Sequence, residues 1–329
     1  MKKIFFAAIA LVALASCAKE EFVSVNRQVI SFGEAFVDNA TRATDMTYGN
    51  ITGFDVYGTV TGSGSTTAVA LYGGDGATVT RGNAAYNVAW GCSETEFWVP
   101  GASYKFAAVI DATTSVANGL PATLTTVADP NMNFKDMLYD EETVTSASAV
   151  QDVVKFTFAH LLSKVQFTVT SNADDGYYHE VANIKVNNFE TGTYTIATDT
   201  WAGTTPKDVN FGTITNVTSA STGDNAATNA TQMLLVPTTD SFNVEFTVNL
   251  YKSTTKDGVT TNTLLGTTSY TGVNAKTVST DLVKGNAYNF TIACSVGNPI
   301  QFSVTNNPTW NSDIDGDGEV DANDNVKIE

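Results

Sequence analysis

The chain has 329 residues, 43% of them hydrophobic and 10% aromatic, which is material for two ordinary domains with cores of their own. It carries 34 acidic against 17 basic residues, a formal net charge of −17, and its arginines are Arg27, Arg42 and Arg81. With no basic stripe to neutralise phosphates, nucleic acid is excluded as a partner.

The opening "MKKIFFAAIALVALASCAKEE" reads as a targeting segment. Lys2 and Lys3 supply the positive region, and Ile4 to Ala13 is too short an apolar run to span a membrane as a mature helix. Leu14-Ala15-Ser16-Cys17 resembles a bacterial lipobox, which makes residues 1–16 the signal peptide and Cys17 the lipidated first residue. An ordinary secretory signal cut near the same place is the alternative. Lys19-Glu20-Glu21 resembles the tag that sends Bacteroidetes lipoproteins to the cell surface, so the expected location is the outer membrane, facing out. Cys92 and Cys294 fall in different expected domains and read as two buried thiols rather than a disulfide.

Taken in chain order, Val29 to Val37 has strand character and is followed by a polar stretch holding Arg42. Phe54, Val56 and Val60 alternate around Gly58, and Tyr104, Phe106, Ala108 and Ile110 alternate in the next clear strand. Phe134 to Tyr139 is the best helical fragment. The polar "DEETVTSASAVQD" then gives way to "VVKFTFAHLLSKVQFTVT", which marks a domain boundary near residues 150–153. Further alternation runs through Phe242 to Leu250, through Tyr288, Phe290 and Ile292, and finally through Ile300, Phe302 and Val304. Breakers such as "GSGS", "GGDG" and "SNADDG" separate these runs as turns. Many short alternating strands predict an all-β protein of two tandem sandwiches. The expected division is a propeptide over 17–42, an N-terminal sandwich over 43–152, a C-terminal sandwich over 153–310 and an acidic tail over 311–329.

No catalytic residues emerge. The sequence lacks a G-x-S-x-G elbow, a P-loop, H-E-x-x-H and C-x-x-C, and its two histidines, His160 and His179, leave little room for a triad. His160 reads as a hydrogen-bonded structural residue, and Trp201 and Trp310 as strand-end caps or, alternatively, surfaces on which a sugar could stack. The tail "DIDGDGEVDAND" has calcium-loop spacing. Asp313, Asp315 and Asp317 stand at positions one, three and five, and Gly318 permits the sharp turn at six. Glu319 would offer its carbonyl, Asp321 would act directly or through water, and Asp324 would close the loop. The pattern resembles one dockerin repeat, where a dockerin carries two. Calcium of modest affinity is the expected cofactor, and a solvated acidic tail the alternative.

"FTFAHLLSKVQFTV" (Phe156 to Val169) resembles the hallmark segment of the Bacteroidetes fimbrillin family. "ITGFDVYG", "FWVPGASYKFAAV", "DMLY", "IKVNNFETGTYTI", "MLLVP" and "KGNAYNFTI" follow the family order across nearly the whole mature chain. The resemblance implies transthyretin-like sandwiches, export as a lipoprotein and a place in a surface pilus. It also implies removal of the N-terminal segment by an Arg-specific, trypsin-like protease, with a donor strand from another subunit filling the groove left behind. In this sequence the bond Arg42-Ala43 is the expected scissile bond, with Arg27 competing. Ile300, Phe302 and Val304 mark the expected donor strand, which by alternation alone could equally stay in its own domain. The expected partners are other pilus subunits, the maturation protease and, before cleavage, the outer membrane. A non-polymerising surface lipoprotein that binds glycans or another ligand is the alternative reading.

Overall fold

The computed structural model describes residues 28–37, 51–82, 90–145, 147, 151–174, 176–218, 223–224, 233–239, 243–274, 281–296 and 300–307. Within them the chain is nearly all strand, interrupted by short 3₁₀ turns at Tyr72–Gly74 and Ile196–Thr198. The first half forms β1 (Phe32–Val37), β2 (Gly53–Thr61), β3 (Ala68–Ala70), β4 (Ala77–Arg81), β5 (Trp90–Cys92), β6 (Ser103–Ile110), β7 (Thr113–Ala117), β8 (Leu120–Val127), β9 (Leu138–Val144) and β10 (Val154–His160). The second half forms β11 (Ser163–Ser171), β12 (Tyr177–Thr195), β13 (Thr200–Val217), β14 (Gly223–Asp224), β15 (Met233–Leu235), β16 (Asn243–Lys256), β17 (Val259–Asn274), β18 (Ala287–Cys294) and β19 (Gln301–Asn307).

The first sheet runs β1-β10-β9-β6-β2-β4-β5, with β3 on β2. Its alternation follows the sequence. Tyr104, Phe106, Ala108 and Ile110 of β6 are buried, and in β10 buried Val154, Phe156 and Phe158 alternate with outward Lys155, Thr157 and Ala159. The inward rings meet edge to face, with Phe54 to Phe156 at 5.5 Å and Phe54 to Phe158 at 5.6 Å between centroids. The boundary expected at residue 152 therefore falls one strand early. β10 follows it, yet pairs with β1 and β9 and contributes Phe156 and Phe158 to the first core. The chain changes sheets at Leu161 and Leu162, where consecutive buried residues break the period of two before β11 begins.

The second region packs a sheet ordered β14-β11-β18-β19, with β15 on β11, against one ordered β17-β16-β12-β8-β7, with β13 on β12. Val165, Phe167, Phe290 and Ile292 from one sheet share a core with Val186, Val209, Val244 and Val248 from the other. Phe167 meets Phe211 of β13 at 4.8 Å.

The nineteen-residue β12 joins the two regions. One edge carries β13, while the other carries β16 along Tyr177–Val186 and then β8 along Thr191–Thr195. The β7–β8 hairpin leaves the first region between β6 and β9, so it is stitched into a sheet of the second. Leu124 of β8 is fully buried there, in one cluster with Tyr57 and Val109.

The helix expected over Phe134 to Tyr139 does not form. Phe134 and Met137 are both buried and three residues apart, which imitates helical spacing. The segment instead runs extended into β9. Leu161 donates its N–H to the Met137 carbonyl at 3.0 Å, and Leu138 pairs with His160. Cys92 is half-buried beside the first core and Cys294 is buried in the second; both are free thiols, and burial pushes Cys294 up to about 12.

Candidate assembly site

The segment from Gln28 to Val37 is the most telling piece of the molecule. Its N-terminal half lies between two stretches of backbone. On one side Ile30 donates its N–H to the Glu96 carbonyl at 2.8 Å, and Trp98 donates to the Gln28 carbonyl at 3.0 Å. On the other side Val154 donates to the Ser31 carbonyl at 2.9 Å, and the Gln28 amide clamps Gln151. Gln28 Nε2 donates to the Gln151 carbonyl and Gln28 Oε1 accepts from the Gln151 N–H, each at 2.6 Å. From Phe32 the chain continues as β1, parallel to β10 at the edge of the first sheet.

Alternation aims Ile30 and Phe32 inward, and each is 3% exposed. The Phe32 ring stacks on Phe156 at 6.1 Å and stands edge-on to Phe106 at 5.9 Å and Phe54 at 6.3 Å. Burying each side chain is worth about 1.5–3 kcal/mol relative to exposure. Gly33 follows in a tight place, since a Cβ there would stand 2.7 Å from Val153 Cγ2 and Val153 would have to shift. Withdrawing this segment would uncover a groove floored by aromatic rings and walled by the unpaired backbone of β10 and of residues 96–98.

The groove leaves two polar atoms without partners. Tyr72 Oη and Trp98 Nε1 are buried and find no hydrogen-bond partner among the described residues. Both rings belong to the cluster around Phe32, with Tyr72 at 6.4 Å from it. Burial pushes the Tyr72 phenol well above its ordinary value, so it stays a protonated donor.

At the other end of the chain, β19 pairs antiparallel with β18 over seven residue pairs and forms the edge of its sheet. Its ladder sets Phe302 opposite Ile292 and Val304 opposite Phe290, while Ile300, just before it, packs half-buried on the second core. β19 is therefore held within its own chain here. Cys17, Arg27, Arg42, Ala43 and the loop residues Asp313, Asp315, Asp317, Glu319, Asp321 and Asp324 lie outside the described residues.

The histidines sit in structural surroundings. His160 Nδ1 is 2.9 Å from Asp136 Oδ1, both side chains nearly sealed, at the point where the chain leaves the first sheet. His179 Nδ1 is 2.7 Å from Ser171 Oγ, which also accepts the Ala173 N–H at 2.9 Å, and burial lowers the affinity of this imidazole for a proton. Among the described residues no group of three or more His, Cys, Asp or Glu is placed to hold a metal ion.

Sequence reasoning placed a strand over Val29–Val37 but missed its partners. The Gln28 clamp, the 96–98 wall and the contacts of Phe32 with Phe106 and Phe156 span more than sixty residues of chain, which no local pattern records.

A family model described as fimbrillin-like matches residues 41–309. The chain belongs to the fimbrillin-like family. Its fold is similar to that of a fimbrial protein from Bacteroides vulgatus, at 15% identity and a TM-score of 0.56, covering 86% of this chain and 98% of that one. A proposed cell adhesion protein from Bacteroides uniformis also matches, at 16% identity and a TM-score of 0.46, covering 87% and 98%. None of the curated protein sequences matches it. The family match begins at residue 41, so β1 of this fimbrillin-like chain lies just ahead of it in the sequence, on the N-terminal side of Arg42.

Proposed function

We propose that this fimbrillin-like protein is a structural and adhesive subunit of a cell-surface pilus, exported as a lipoprotein through Cys17 and polymerised by strand exchange. Maturation cuts Arg42-Ala43, and the segment carrying β1 leaves with the lipid. A donor strand from another subunit, equivalent to Ile300, Phe302 and Val304, then enters the groove, supplying backbone hydrogen bonds along β10 and apolar side chains for the pockets of Ile30 and Phe32. The observation that carries this reading is the placement of β1. It is a parallel edge strand, it covers an aromatic groove, and only residues 38–52 separate it from β2. Parallel pairing is slightly the weaker kind, and two buried donors beside it are unsatisfied, so an antiparallel donor with a better-placed acceptor has stability to gain.

Limited trypsin treatment of the purified precursor tests the reading. Cleavage after Arg42 should produce ladders of stable oligomers on gels, and Arg42→Ala should abolish them. Protein cut at Arg42 that stays monomeric with every partner subunit supplied, or cleavage confined to Arg27, overturns it. The tail from Asp313 to Asp324 is proposed as a calcium site that orders the chain beyond β19. Calorimetry should give calcium heat for the wild type and none for Asp317→Ala, and equal traces would remove the site.

A further inference from the structure

A second feature, remote from β1, is a cleft of about 500 Å³ in the second region, lined by Phe189, Asp199, Trp201, Thr238, Asp281 and Lys284 among others. Its floor is the far end of the β12–β13 hairpin. Gly192 and Gly203 face each other in that ladder. A Cβ on Gly203 would stand 2.1 Å from Phe189 Cδ2, and one on Gly192 would stand 2.8 Å from Trp201 Cζ3. The two glycines thus let Phe189 and Trp201 lie across the hairpin backbone instead of standing away from it. Trp201 is braced from beneath by Tyr194, 5.5 Å away between ring centroids.

The opposite wall is equally fixed. Residues 237–239 and 281–284 are tied by reciprocal hydrogen bonds between Thr238 and Leu282, at 3.1 and 3.0 Å. Buried Asn188 holds Val236 from both sides, its Nδ2 donating to the carbonyl at 3.2 Å and its Oδ1 accepting the N–H at 3.0 Å. At the rim Lys284 Nζ reaches Asp199 Oδ1 at 2.5 Å and donates to Tyr194 Oη at 2.9 Å, while Tyr194 Oη donates to the same carboxylate at 2.7 Å. Burial works against the Lys284 charge, yet these two partners outweigh it and hold the ammonium above its ordinary value. Hydrogen bonds from Lys284 and then Tyr194 hold Asp199 below its own. Trp201 Nε1 is buried without an acceptor among the described residues.

We infer that this cleft binds a neutral saccharide of one or two sugar units. Flat aromatic faces suit the C–H face of a pyranose, and the hydrogen-bonded carboxylate and ammonium at the rim suit its hydroxyls. The volume falls in the range of small-ligand clefts. Two carboxylates against one ammonium, on a protein of net charge −17, turn away sialylated and sulfated sugars. The inference is independent of strand exchange, because the cleft is complete in the uncut single chain.

The test is titration of the uncut full chain with glucose, galactose, mannose, N-acetylglucosamine and lactose, with N-acetylneuraminic acid as the anionic comparator, by calorimetry and tryptophan fluorescence. At least one neutral sugar should saturate with a dissociation constant of about 1 mM or tighter. Asp199→Asn should weaken it about tenfold or more with little change in the melting profile, and Trp201→Ala should weaken it at least as much while also lowering the melting temperature. The Asp199 side chain is 63% exposed, so its variant folds even if Trp201→Ala does not. No saturation by any neutral sugar, binding indifferent to both substitutions, or tighter binding of the anionic sugar would overturn the inference.

Discussion

The two edge strands nearest the ends of the described chain, β1 and β19, are held in different ways. β19 carries an unbroken antiparallel ladder of seven residue pairs on β18. β1 lies parallel to β10 in a ladder whose register shifts between Phe32 and Ala35, and its hold on the protein comes from elsewhere: two side chains sunk in the core, the Gln28 clamp and the 96–98 backbone. One edge keeps a regular ladder, while the other pairs irregularly and adds two side chains sunk in the core. The difference bears on the strand exchange proposed above. Losing a ladder exposes polar groups that water can satisfy, whereas losing Phe32 opens a hole among four aromatic rings that water fills badly.

The sharpest way to break this comparison is Phe32→Ala, which should cost about 3–5 kcal/mol, read as a lower urea midpoint for the transition followed by fluorescence. A loss below about 1 kcal/mol would mean that burial of Phe32 is not what holds this edge. Gly33→Ala should cost about 1–3 kcal/mol, because the new Cβ meets Val153. Its effect should fall on the same transition and leave the second region unchanged.

A smaller effect belongs to the second region. Burial lowers the proton affinity of His179, so between its folded value and the unfolded value of about 6.5 the unfolded chain binds more protons than the folded one. Its contribution is whole above about pH 6.5 and is lost as pH falls below that. His179→Gln should flatten this part of the acid side of the stability profile, measured as the change in urea midpoint between pH 7.5 and pH 5; an unchanged slope would remove His179 from the account.

Much of the fold was legible in the sequence because strands with one buried face write their geometry as alternation. β10 can be read off residue by residue, as can β11 from Val165 to Val169, whereas β6 is buried on both faces from Phe106 to Ile110. Which sheet a strand joins is not written that way. Val154 to His160 look the same whether they pair with β9 or with a strand of the second region, so the domain boundary came one strand early. The pairing of β8 with β12 joins residues more than sixty apart, and helical spacing at Phe134 and Met137 was a coincidence of two burials. For the candidate sites, alternation exposed Ile30 and Phe32 as a strand face but not the rings they meet. The Trp201 platform depends on the facing of Gly192 and Gly203, which only the hairpin register reveals.

The stitching of β8 to the edge of β12 has a mechanical side. Tension drawn along the chain would pass between the two regions by two routes at once, the covalent crossing at Leu161 and Leu162 and the five-pair ladder from Thr191 to Thr195. A pull directed along β12 would load the ladder in shear, so its hydrogen bonds would resist together instead of opening one after another. Under such a pull the two regions should respond as one unit, not as beads on a string.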